Sequence, residues 1–168
     1  MSALAGRLSA GLNWGVERFV AILMALLVLD VWIGVVDRYL FHWQLPWPEV
    51  VARYLMIWAA MLAISAGIAR REHIGLHALI SKAPEGLRRV ILLGLDLVTF
   101  LLFFYVFWYG IGFAQTGGNR QAMIFGMTLL VPFAAIPVSA AICAIQTLLV
   151  AIRDQGALIV PNSEGMVE

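Results

Sequence analysis

The sequence predicts an all-α integral membrane protein with four transmembrane helices and a short amphipathic interfacial helix between spans two and three. Three observations carry this. The 168-residue chain is 62% hydrophobic and only 12% charged, where a soluble globular chain runs near 45–50% apolar and roughly 25% charged. Its mean hydropathy is +0.92. Its apolar residues gather into four long runs, 19–36, 50–69, 90–114 and 123–152, and about 20 apolar residues suffice to cross a hydrocarbon core. In lipid every backbone polar group must be paired internally, which unbroken helices achieve without the alternation a barrel would need.

The elements follow in order. Residues 1–15 form an N-terminal cytoplasmic or interfacial segment, and the membrane domain occupies 16–152. Its spans cover about 16–37, 49–69, 86–115 and 123–152. The first apolar run is too long for a signal-peptide core and is expected to be a retained anchor. Span two opens on "PWPEVVARY", where Pro48 suits the first helical turn and Glu49 favours its positive end. Between spans two and three, Leu76, Leu79, Ile80, Ala83 and Leu87 recur at helical spacing, which predicts the interfacial helix. Pro84 and Glu85 suit the start of span three. "TGGNRQ" reads as a short outer loop, Pro132 and Pro137 should bend span four, and 153–168 read as a flexible cytoplasmic tail.

Orientation follows the positive charges. With the N-terminus in the cytoplasm, that side holds Arg7, Arg18, Arg70, Arg71, Lys82, Arg88, Arg89 and Arg153, and the other holds only Arg38, Arg53 and Arg120. Both termini are therefore expected in the cytoplasm, and the junction between spans one and two outside.

Several polar residues invite a role. Glu49 and Arg53 are four apart and can pair on one helix face. Asp30 sits about 10 Å inside the outer end of span one, and charges inside membranes are usually paired or functional. An Asp30–Arg53 bridge is expected as a clamp between spans one and two. Asp96, near the cytoplasmic side, is expected to pair with a loop arginine or another chain. Tyr39, Trp43 and Trp47 suit the headgroup zone. Small residues at Ala59, Ala63 and Gly67, and at Gly110, Ala114 and Gly118, mark packing ridges. His73 and His77 are four apart but lack an evident third metal ligand, and His42 lies on the other side, so no pair is placed to hold a haem. Cys143, the sole cysteine, reads as a small buried hydrophobe. No triad, flavin motif or phosphate-binding loop appears. No enzymatic activity, cofactor or metal is expected, and a net charge of +1 without a basic aromatic patch gives no reason to expect nucleic acid.

The blocks "DRYLFHWQLPWPEVVARYLMIW" and "RREHIGLHAL" resemble the small membrane subunit, of DctQ type, of tripartite ATP-independent periplasmic (TRAP) transporters. "FAAIPVSAAICAI" resembles the last span of that family, and the likeness covers most of 16–152. It falls on Arg38, Tyr39, Leu45, Pro46, Trp47, Glu49, Ala52, Arg53 and Tyr54, then on Arg71, Glu72, His73 and Ile74. This sequence departs from the family pattern at His42, where asparagine is usual, at Pro48, where a serine or threonine cap is usual, and at His77, where aspartate is common.

The resemblance implies a non-catalytic permease subunit in the bacterial inner membrane. Its partners would be a large multi-span membrane subunit, which carries the substrate and sodium sites, and a periplasmic binding protein that delivers an organic acid for symport. Membrane lipids would surround it. With Asp30, the matched residues Arg38, Tyr39, Trp47, Glu49, Arg53, Tyr54, Arg71, Glu72, His73 and Ile74 become structural or interface candidates, and no substrate-binding residue is expected in this chain. Two other readings fit a small four-span protein: a membrane anchor of a respiratory enzyme, and a proton-coupled exporter using Asp30.

Overall fold

The computed structural model describes residues 2–71, 84–121, 126 and 128–154. Four helices follow one another: α1 (Ser2–Val36), prolonged by a π-helical turn (Asp37–Phe41), α2 (Pro48–Arg70), α3 (Glu85–Gly118) and α4 (Leu130–Asp154). All four are long and apolar enough to cross a membrane. The protein is thus all-α and of membrane type. The predicted interfacial helix falls largely on 72–83, outside the described residues, as does the tail beyond Asp154.

The helix bounds differ from the apolar runs in two places. Helix α1 begins at Ser2 rather than near residue 16, because 1–15 contains no proline to interrupt it and its three glycines are isolated. At 35 residues it is about 52 Å long, well beyond a hydrocarbon core of about 30 Å. Helix α4 begins at Leu130, seven residues later than the run starting at 123. The described residues ahead of it pair instead: the Leu129 N–H donates to the Arg120 carbonyl at 2.9 Å, Gln121 and Thr128 form an antiparallel bridge, and Gly126 takes a positive φ of 60°. Apolarity alone does not separate such a turn from a helix.

Helix α4 is the hub, packing against α1, α2 and α3, while α3 rests mainly on α4. Val16, Leu23, Ala59 and Leu62 form the buried core, with Leu12, Val20, Leu55, Trp58 and Ile142 around it. The buried face of α4 is built largely of small residues, among them Ala135, Ser139, Ala140, Cys143 and Ala144, which let helix axes approach closely where no hydrophobic force drives association.

The predicted small-residue ridge on α3 faces α4, with one shift. A Cβ on Gly110 would lie 3.2 Å from the Cβ of Pro137, and one on Gly117 only 2.8 Å from the Leu129 carbonyl and the Phe133 ring. Ala114 is buried between them. Gly118 has more room, so the ridge runs through Gly110, Ala114 and Gly117. On α2 the expected row does not hold, since Ala63 is exposed and Gly67 faces open space. The buried line there is Ala59, Leu62, Ser65 and Ile68. A strict i, i+4 row turns about 40° per step on a 3.6-residue helix, so two steps carry it off the contact.

Candidate functional site: polar junctions at the two ends of the bundle

The first junction joins α1 to α2 and is organised by Asp37. The π-helical turn closes with the His42 N–H donating to the Asp37 carbonyl at 2.6 Å. The buried Asp37 carboxylate then accepts the N–H of Trp43 at 3.0 Å and that of Leu45 at 2.9 Å. Those bonds fix a tight reversal in which His42 (φ 56°) and Gln44 (φ 54°) are left-handed. Asparagine and histidine are among the few non-glycine residues that enter that region readily. The His42 substitution for the asparagine of the resembled pattern therefore keeps the backbone geometry. Pro48 opens α2 at a position where no N–H is needed, and the Trp47 carbonyl accepts from Val50 and Val51. A Cβ on Gly34 would sit 3.4 Å from Pro48, so α1 and α2 approach closely here.

An open groove of about 820 Å³ runs along this junction, lined by Arg38, Tyr39, His42, Gln44 and Glu49, with Asp37 at its base. Asp37 is engaged by the backbone. Glu49 pairs with Arg53 at 2.9 Å, both side chains largely in the open (83% and 61% exposed). Arg38 has no ion-pair partner among the described residues. Phe41 and Trp43 stack beside the groove with ring centroids 4.5 Å apart. Trp47 and Tyr54 are half-buried and do not line it.

The expected Asp30–Arg53 clamp is absent. Asp30 is buried, at 5% exposure, and its carboxyl faces the backbone of Ala52 without reaching hydrogen-bond geometry. Each residue turns an α-helix by about 100°. The rotation that brings Ala52 towards α1 therefore turns Arg53 outward, where Glu49 is its nearest partner.

The second junction, at the opposite end of the bundle, is an ion-pair cluster that the sequence reading foresaw only in part. Arg71 caps α2 in a left-handed conformation (φ 51°). From there its Nη2 donates to Asp96 of α3 at 2.7 Å and its Nε to Asp154 of α4 at 2.6 Å. Arg153 donates to the same Asp154 carboxylate, with one bond of 2.9 Å, and reaches the Ala69 carbonyl at 3.5 Å. The Asp154 side chain is wholly buried. Two guanidinium groups and two carboxylates thus form a neutral group tying three helices together. The expected pairing of Asp96 with an arginine is present, and the arginine is Arg71.

Around this cluster, Arg70 pairs with Glu17 of α1, which also accepts from Asn13 at 2.9 Å. Gln146 of α4 donates to the Ser9 hydroxyl of α1 at 2.7 Å in a buried site. The partners the sequence reading missed are Asp154, Arg153, Glu17 and Asp37. Asp154 was assigned to the flexible tail, although it lies only two residues beyond an apolar run, where an acid beside a basic residue can still be helical. Glu72, His73 and Ile74 lie outside the described residues.

Neither junction places a nucleophile beside a base. The first offers an uncommitted cation, a rim of aromatic rings and a fixed turn, which suits recognition. The second offers mutual neutralisation, which suits bracing.

Comparison with known proteins gives the frame. The family model described as "Tripartite ATP-independent periplasmic transporters, DctQ component" matches residues 27–156, most of the chain. Among curated proteins, the chain is 28% identical over 106 residues to the sialic acid TRAP transporter permease protein SiaT of Haemophilus influenzae. That match covers 63% of this chain and 17% of the relative. The chain is also 31% identical over 74 residues to the C4-dicarboxylate TRAP transporter small permease protein DctQ of Vibrio cholerae, covering 44% of this chain and 32% of the relative. The matches therefore span less than a third of either relative's length.

Proposed function

The chain belongs to the DctQ family of tripartite ATP-independent periplasmic transporter components, and from that premise we propose that it is the small, non-catalytic membrane subunit of such a transporter. The observation that carries the reading is the match over 27–156, which includes both the Asp37 turn and the Arg71 cluster. The subunit sits in the bacterial inner membrane with both termini in the cytoplasm, a reading supported by the eight-to-three division of basic residues. It braces a large multi-span subunit that moves an organic acid by ion-coupled, sodium-dependent symport. A periplasmic binding protein supplies the acid.

Two features support this division of labour. The match to SiaT occupies 17% of that permease, so a segment like this chain is joined there to a much longer polypeptide. The two relatives are named for sialic acid and for C4-dicarboxylates, both carboxylic acids. The groove beside Arg38 and Tyr39 then forms an outer edge near the docking binding protein, and the Arg71 cluster holds the cytoplasmic end rigid.

The test is a mild-detergent pull-down of the tagged chain from native membranes, read by mass spectrometry. A large multi-span permease subunit co-eluting near one to one is expected. A chain that elutes alone would overturn the subunit reading.

A further inference from the structure

Among the helix faces that look outward, those of α1 and α3 differ in chemistry. On α1, Phe19, Ile22, Leu26, Leu29 and Ile33 are exposed along one face. None carries a polar atom, so acyl chains satisfy them. On α3, Leu101, Tyr105, Trp108 and Tyr109 share a face, with the three aromatics 61%, 65% and 63% exposed. Gly112 continues it with open space beyond its Cα. The rings of Tyr105 and Tyr109 lean on each other at 4.5 Å, but neither hydroxyl, nor the Trp108 indole N–H, has a hydrogen-bond partner among the described residues.

Their depth makes this costly in lipid. Asp96, locked in the ion-pair cluster, marks one polar level on α3, and Asn119, just past the helix, marks the other. Tyr105 lies about 14 Å from Asp96 along the axis, and Tyr109 about 15 Å from Asn119. Both hydroxyls therefore sit near the middle of the hydrocarbon, beyond the reach of a side chain that snorkels to the headgroups. Tyrosine and tryptophan belong at the membrane interfaces for this reason, and polar groups in the core are expected to find partners across helices.

We propose that the Tyr105–Trp108–Tyr109–Gly112 face of α3 docks a transmembrane helix of the large permease subunit, which presents hydrogen-bond acceptors at mid-membrane depth and approaches closely at Gly112. This rests on the subunit function proposed above. The occupant follows from that family membership, and from the relative in which the matched segment is only 17% of the permease.

The experiment places photoreactive benzoylphenylalanine at position 108 or, as a control, at position 26 on α1, and irradiates native membranes containing the whole transporter. Part of each sample is kept dark and pulled down. We expect a covalent adduct with the co-purifying large subunit from position 108 and none from position 26. Tyr105→Phe and Tyr109→Phe keep the rings and remove one hydroxyl each. Each should lower the large subunit retained by roughly threefold or more, the scale of an interhelical hydrogen bond, with the yield of this chain unchanged. An adduct between two copies of this chain overturns the proposal, as does a large subunit that co-purifies in the dark sample yet gives no adduct from position 108. If the dark sample holds no large subunit at all, the proposed subunit function itself falls, and this docking face with it.

Discussion

Replacing Arg71 by alanine should be the most damaging single change at the end of the bundle where α2 and α4 terminate. The guanidinium bridges two carboxylates on two other helices, at 2.7 and 2.6 Å, with side-chain exposures of 16% for Arg71, 15% for Asp96 and 0% for Asp154. Removing one partner of a buried ion pair costs about 3–5 kcal/mol, because the other charge is left uncompensated. Asp154 keeps Arg153, so the penalty falls chiefly on Asp96, and about 3 kcal/mol is expected. Arg71→Lys should recover only part of it, since one ammonium does not reproduce a planar fork that meets two acceptors. The assay is unfolding of the purified chain in mixed micelles by increasing dodecyl sulfate, followed by circular dichroism. A double-mutant cycle with Asp96→Ala should show a coupling of about 1–3 kcal/mol. A loss below about 0.5 kcal/mol for Arg71→Ala, or no coupling, would refute the clamp. Arg53→Ala supplies the contrast. Its pair with Glu49 is an exposed i, i+4 contact, worth a few tenths of a kcal/mol at most.

The same unfolding assay checks three further outcomes. Gly117→Ala should cost about 1–3 kcal/mol by overpacking, because its Cβ would meet the Leu129 carbonyl and the Phe133 ring at 2.8 Å; Gly94→Ala, which faces open space, should cost nothing. Asp37→Ala should lose about 2 kcal/mol, since two backbone N–H groups lose a charged acceptor, and residues 42–47 should become faster to cleave by added protease. Asp30→Leu should be neutral or stabilising, because a buried carboxyl without a partner contributes no bond that is lost; a loss above about 1 kcal/mol would reveal a partner.

The fold class was legible because membrane burial is written in composition and run length, and the starts of α2 and α3 because proline marks them. The pairing of charges was legible only within a helix. Glu49–Arg53 follows from spacing, whereas Asp30–Arg53 required knowing how α2 is rotated against α1, which no run of apolar residues specifies. Asp96 was recognised as needing an arginine, yet choosing Arg71 depends on α2 ending one residue earlier in a left-handed cap that turns the side chain back into the bundle. Asp154 escaped because helix α4 starts seven residues later than its apolar run and ends two residues after it. The family resemblance pointed to Arg71 as a matched residue, and geometry supplies the reason: its fork joins three helices.

The distribution of uncommitted polar groups bears on where a substrate passes. An organic acid crossing the membrane brings a carboxylate that needs a cation or several donors along its path. In this chain Arg71 and Arg153 are neutralised by Asp96 and Asp154, Arg70 by Glu17, and Arg53 by Glu49. Arg38 stands at the rim of an open groove rather than within a closed passage. Among the described residues, the polar groups left unsatisfied within the spans include the Asp30 carboxyl, of the wrong sign to receive an anion, the isolated Ser65 hydroxyl and Gln146 carbonyl, and the donors on the outer face of α3. Donors there face whatever lies beside the bundle, not a channel through it. On the function proposed above, the charges of the described residues favour a substrate path in the neighbouring subunit, met at the mid-membrane face of α3 where the Tyr105, Trp108 and Tyr109 donors find no partner among those residues.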